Sequence, residues 1–292
     1  MSTVDQFESV FKAAAKSSYF HESLSFGKIL LVSDLDESES KLYLHLVQQF
    51  FSTILSKENT KWEILCKSNF GSVRDLLENV EEIRPDLIIT YRNLRSEAWR
   101  WPYSLGEYLD VLTQVTTTPV CVLPHPDCEN SPDLLTQSPV NVMAVSGHMC
   151  GEGTLVKYAS AFTPKGGKLI LSHVEDKCTL DRFLDAIEKI PELDSEVARE
   201  NLLSRLLNDA KDFSESASIE LKKAGLEIEV EAVAQVGRRL EDYRKLIEQV
   251  LLKVTNLDEW HNQDVLNKIG NVSWSKSIFQ VHEKKSSDIN SP

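Results

Sequence analysis

GKILLVSDLDESES, residues 27–40, decides the fold, because its opening begins again at VNVMAVSG, residues 140–147. Each opening is a short apolar run of strand length. The first runs into acids and serines that can cap a following helix. That helix is predicted from about Ser38 to Leu55, with Leu42, Leu46, Val47, Phe50 and Ile54 on one face. KWEILCK (61–67) then alternates like a strand, and Val73, Leu76, Leu77 and Val80 mark a helix closed by Pro85. DLIITY (86–91) reads as a buried strand, GEYLDVLTQVT (106–116) as a helix and PVCVLP (119–124) as a strand.

After the restart at 140 the same alternation continues. A helix runs through Leu155, Tyr158, Ala159 and Phe162, and KLILSHV (168–174) is a buried strand. From about Ser195 to Ala224, Leu203, Leu206, Leu207, Ala210, Phe213, Ala217 and Leu221 recur at helical steps, and Gly225 closes the helix. LEIEVEAVAQVG (226–237) alternates as a strand, and RRLEDYRKLIEQVLLKV (238–254) reads as another helix. Strands alternating with helices argue for parallel sheets with helices on both faces, and the restart argues for a duplication. The fold class expected is α/β: two tandem doubly wound, Rossmann-like domains, the second incomplete.

The boundaries drawn are an amphipathic helix in 1–24, a first domain at 25–126, a linker at 127–139, a second domain at 140–255 and a tail at 256–292. The linker rests on the polar, proline-bearing HPDCENSPDLLTQSP. Beyond Val254 no further strand is recognisable in the sequence. That absence would leave a sheet edge open to another chain, which makes a homodimer the expected assembly.

With 41% apolar and 26% charged residues, the 292-residue chain has the balance of a soluble globular protein, and its length suggests about two domains. A net charge of −13 disfavours nucleic acid and acidic membrane surfaces. No stretch approaches the roughly 20 apolar residues of a membrane span. The N-terminus carries acids early and has no uninterrupted apolar run, which argues for a cytoplasmic protein. Cys66, Cys121, Cys128, Cys150 and Cys178 show no paired spacing; Cys66 and Cys121 are expected as buried thiols and no disulfide framework is expected.

In order and spacing, GKILLVSDLDESES, SVRDLLENVEEIRPDLIITY, SLGEYLDVLTQVTTTPVCVLP, VNVMAVSG, GGKLILSHVED and LEIEVEAVAQVGRRLEDYRKLIEQ resemble the universal stress protein family over about residues 27–124 and 140–250. The resemblance implies five-stranded parallel sheets, some of which bind ATP or another adenine nucleotide at the carboxyl ends of the strands. It places an acid after the first strand at Asp34 and the last glycine of a phosphate loop at Gly106. In the second copy it places Ser146 at the acid position, Gly147 after it, and Val174 at the adenine contact. The departures are as telling. The loop's first two glycines are absent before Gly106, and Glu107 stands where a small hydroxyl residue would face a phosphate. No phosphate loop can be placed in the second copy.

Other constellations have sharp and plain readings. GHMCGEG (147–153) is glycine-rich but fits no nucleotide motif, which leaves phosphate binding beside a simple strand-to-helix turn. His148, Cys150, His173 and Cys178 lack metal-ligand spacing. Asp34, Asp36, Glu37 and Glu39 could hold Mg²⁺, or cap a helix. Trp99-Arg100-Trp101 is either a partner contact or loop packing. No catalytic arrangement is legible. The function the resemblance implies is a stress-response regulator that is not an enzyme and that binds a ligand or an unidentified protein partner; the alternatives are a pure protein-interaction scaffold with no small-molecule ligand and a nucleotide-hydrolysing enzyme of the related adenine-nucleotide hydrolase-like group.

Overall fold

The computed structural model describes residues 18–55, 60–97, 105–127, 135, 140–146, 149–151, 153–189, 195–238, 242–243, 252–256 and 277–281. The first half contains β1 (Lys28–Val32), α1 (Glu37–Phe50), β2 (Lys61–Leu65), α2 (Val73–Ile83), β3 (Leu87–Tyr91), α3 (Glu107–Val115) and β4 (Val120–Leu123). The second contains β5 (Asn141–Ser146), α4 (Gly153–Ala161), β6 (Lys168–Asp176), α5 (Lys177–Ile187), α6 (Ser195–Lys223), β7 (Glu229–Gly237), β8 (Leu252–Asn256) and β9 (Ser277–Val281).

Local chemistry accounts for the helix ends. Asp36 accepts from the Glu39 amide at 2.8 Å while Glu39 accepts from the Asp36 amide, a reciprocal cap that starts α1. Ser72 and Asp75 do the same for α2, which stops at Arg84, in the left-handed region at φ 49°, before Pro85. Gly225, at φ 79°, follows the end of α6 and is read correctly from sequence. The inner face of α1 follows the prediction at Val47 and Phe50, which are buried, and at Leu46, which packs against the core, as does Ile54 beyond the helix end, but not at Leu42. Ser40, Tyr43, Val47 and Phe50 face inward, and Leu42 is 71% exposed.

Among the described residues the strands form one nine-stranded sheet in the order β2-β1-β3-β4-β9-β8-β5-β6-β7. Within each half every pairing is parallel. The halves meet where β4 and β9 run antiparallel, with Val120 opposite Gln280 and Val122 opposite Ile278. Parallel strands are covered on both faces and therefore read as continuous apolar runs, as LIITY in β3 does.

The sheet corrects three expectations. First, the second half does not end at 255: β8 pairs with β5 (Val142 opposite Leu252) and β9 with β8 (Leu252 opposite Ser277). Its order β9-β8-β5-β6-β7 is a complete five-stranded parallel unit. Second, the edge of β4, on which the expected homodimer rested, is already occupied within the chain. Third, the short polar loop between the first helix and KWEILCK suggests that the first half lacks its second strand, but KWEIL in β2 lies directly beside β1. Among the described residues the strand without a counterpart is the outer one that β7 supplies in the second half. Strand preference depends on what a segment packs against, and the partners of 252–256 and 277–281 are distant in sequence.

One apolar cluster spans both halves, from Ile29–Val32, Val47 and Phe51 to Val142, Leu155 and Phe162. Residues 18–26 have no regular structure; Tyr19 lies edge-on to Phe213, its amide donates to Ser216 Oγ, and Phe26 packs on Phe162. Residues 4–14, on which the N-terminal helix was based, and nearly all of the linker lie outside the described residues. No described helix is long and apolar enough to cross a membrane.

Candidate functional site

At the carboxyl ends of β1 to β4 the chain opens a cleft of about 520 Å³, lined by Asp34, Leu35, Asp36, Glu39, Lys67, Arg95, Ser96, Glu97, His125 and Asp127. Four successive strands each deliver residues here, because parallel strands all end on one side. β1 has β2 on one flank and β3 on the other, so the chain leaves its neighbourhood in opposite directions, the place where doubly wound sheets receive ligands.

Asp34 is at the centre of the cleft and is fully engaged. Its Oδ1 accepts from the Tyr91 hydroxyl at 2.5 Å and its Oδ2 from the Arg95 amide at 2.5 Å. Tyr91 Oη in turn accepts from the Asp34 amide at 3.0 Å and lies 3.0 Å from Ser33 Oγ. Burial, then the neighbouring Asp34 charge, hold the Tyr91 phenol well above its usual range, so it remains a donor. Arg95 is committed as well: its guanidinium donates to the carbonyls of Lys67 and Phe70 and lies 4.9 Å over the Phe70 ring.

The lining has five carboxylates against Lys67 and Arg95. His125 does not change that balance at neutral pH. Burial holds its imidazole below the ordinary value of 6.5, against the pull of Asp127 and Asp34, and its Nδ1 accepts from the Asp127 amide at 3.2 Å. A stability consequence follows with a definite sign. The unfolded chain takes up this proton at higher pH than the folded one, so stability is complete above about pH 6.5 and falls as pH drops below it. Thermal melts from pH 8 to 5.5 should show Tm declining below 6.5. The decline should be shallower in His125→Gln; an identical slope would remove His125 as its source. His21, also lowered, contributes in the same direction and remains in the variant.

Gly106 does not line the cleft. It precedes α3 at φ 87°, ψ 151°, where its backbone closely approaches the turn at Asn93. The acids read as a Mg²⁺ cluster divide likewise: Asp36 and Glu39 cap α1, and Glu37 pairs with Lys41 at 2.6 Å. Among the described residues no group of three or more His, Cys, Asp or Glu could hold a metal.

In the second half the matching ladder begins alike: Lys61 N donates to Gly27 O at 2.8 Å, and Lys168 N to Val140 O at 3.0 Å. Counting on equally from Gly27 and Val140 pairs Ser146 with Ser33, so Ser146 is not the counterpart of Asp34. Ser146 and Val174 are fully buried. The hydroxyl of Tyr243 binds both strand ends, accepting from Val174 N at 3.0 Å and donating to Ser146 O at 2.7 Å. Gly147 and Trp99–Trp101 lie outside the described residues. Cys66 and Cys121 are buried and Cys150 and Cys178 exposed, all four as free thiols.

Lys67, Arg95, His125 and Tyr243 were not singled out from sequence. The first three follow strands that were, and that position was the available signal. Tyr243 sits inside an ordinary helical pattern and carried none.

The strand order and the strand-end cleft define a doubly wound α/β protein. The chain matches no protein-family model and no curated protein sequence. In structure it is similar to a universal stress protein from Archaeoglobus fulgidus, with 13% identity over 92% of this chain and 99% of that one and a TM-score of 0.46. It is also similar to a putative universal stress protein from Pseudomonas aeruginosa, with 10% identity over 97% and 89% of the two chains and a TM-score of 0.42. The hypothetical protein MJ0577 is 22% identical over 50% of this chain and 98% of its own, with a TM-score of 0.38.

Proposed function

We propose that the chain is a non-enzymatic regulatory protein of the universal stress protein type, acting by binding a partner and holding no adenine nucleotide. The observation that carries this reading is Tyr243, whose hydroxyl takes the strand-end groups of the second half where a ligand would otherwise bind. The first half supports it from another direction. Asp34 is spent on Tyr91 and Arg95, and the cleft around it is acidic. The two halves are read as divergent copies of one unit, the first without its edge strand. Joined through β4 and β9, they make within one chain the contact that separate subunits would otherwise make.

The test is calorimetric titration of the full chain, stripped of carried-over ligand, with ATP, ADP and AMP in Mg²⁺. The expected outcome is no saturable heat for any of the three. Micromolar binding, or steady turnover of ATP, would overturn the reading.

A further inference from the structure

Among the described residues the sheet ends in β2 on one side and β7 on the other, and the two halves treat equivalent strands differently. In the second half β6 bonds inward to β5, Lys168 N donating to Val140 O. Its other side is covered by β7, with Leu169 opposite Val230 and Leu171 opposite Ala232. In the first half Lys61 N donates to Gly27 O and Leu65 O accepts from Ser33 N, so Lys61, Glu63 and Leu65 turn their backbone groups toward β1. Alternate residues of a strand direct these groups to opposite sides. The amides and carbonyls of Trp62 and Ile64 therefore point outward, as those of Leu169 and Leu171 do toward β7. No described strand lies beyond them. The next outward amide, at Cys66, is met by Asn69 Oδ1 at 2.8 Å, which ends the open stretch.

We propose that this edge receives a second copy of the chain, β2 pairing antiparallel with β2 about a twofold axis at Trp62. Open edges are templates for pairing, and charge selects both this occupant and this register. Glu63 already accepts from Lys61 of its own strand at 2.7 Å. With the axis at Trp62, Lys61 of each copy faces Glu63 of the other in the closer type of antiparallel pair, so the four charges alternate. An axis at Glu63 would set the two carboxylates opposite each other, and one at Ile64 would set Lys61 against Lys67; like charges so placed destabilise a sheet. Trp62 projects to the other face, half-buried against the core, and the pairing lays the two indoles side by side there. A twofold contact also closes at two copies, whereas β2 against β7 of another copy would propagate. The net charge of −13 opposes association at long range, but physiological salt screens charges more than about 8 Å apart and spares these contacts. The proposal is independent of the nucleotide reading, which the titration with ATP tests separately.

The experiment is sedimentation velocity of the full chain over a concentration series in physiological salt. Wild type should show a reversible monomer–dimer equilibrium. Lys61→Glu and Glu63→Lys each turn both cross-strand pairs into like charges, and each should weaken the dimer about tenfold or more. The double variant Lys61→Glu/Glu63→Lys restores the alternation and should restore the dimer. Mixed in equal amounts, the two single variants should form a heterodimer, since every pair is then opposite in charge. A wild-type chain that stays monomeric across the series overturns the proposal. So does a dimer indifferent to both single variants, which would lie on another surface. A single variant that unfolds would also lose association, so the double variant and the mixture decide: loss of the dimer in both overturns the proposal.

Discussion

Replacing Gly106 with alanine is expected to destabilise the chain by about 3 kcal/mol or more, although the residue carries no chemistry. Its backbone, at φ 87° and ψ 151°, lies in a region that residues with a Cβ essentially do not enter. The space is also taken. A Cβ here would lie 2.7 Å from Asn93 Cα, 2.9 Å from its Oδ1 and 3.0 Å from its N. Two of those three atoms are backbone, so Asn93→Ala should not rescue the variant. Nor can the turn retreat easily: Asn93 is itself in the left-handed region at φ 59°, and its amide donates to Leu105 O at 2.6 Å. Equilibrium urea unfolding should show a lower midpoint at unchanged slope. A loss under about 1 kcal/mol would mean that the turn and the start of α3 separate freely, against the 1–3 kcal/mol that such backbone strain alone costs.

Phe162→Ala is expected to cost about 3–5 kcal/mol, the range for deleting a buried aromatic ring. The side chain is fully buried, and its ring centroid lies 5.8 Å from those of both Phe26 and Phe51. Phe51 follows α1 in the first half and Phe162 follows α4 in the second, so the cavity would open between them. The loss should therefore be shared. Amides of β1 and β3 and amides of β5 and β6 should lose protection together in native-state hydrogen exchange. Faster exchange confined to the second half would show that each half is stable independently and that the common cluster couples them weakly.

The two cases differ in how visible they were beforehand. Phe162 was legible as a core position, because Leu155, Tyr158, Ala159 and Phe162 fall at helical spacing. Gly106 was noticed as a candidate phosphate-loop glycine, whereas its close approach to the Asn93 turn was not. A glycine needed for backbone approach and one needed for phosphate approach look identical in sequence, since both answer the absence of a Cβ. Asp34 was placed at the mouth of the sheet, where it lies. Its partners Tyr91 and Arg95 are 57 and 61 residues away, and neither bond leaves a local trace.

By itself the sequence determined what depends on neighbouring residues: the apolar runs of β1, β3, β4, β5 and β6, the capping acids and serines, the stop at Gly225 and the restart at 140. From these the doubly wound class follows, because short strands alternating with helices have few other ways to bury both faces. The tertiary structure alone decided what depends on distant partners. It made strands of 252–256 and 277–281 by pairing them with β5 and β4, and joined the halves antiparallel at β4 and β9. It also set Tyr243 against a rung formed by Ser146 and Val174. A strand's hydrogen bonds and a buried hydroxyl's partners are supplied by other segments of the chain, so no window of sequence contains them.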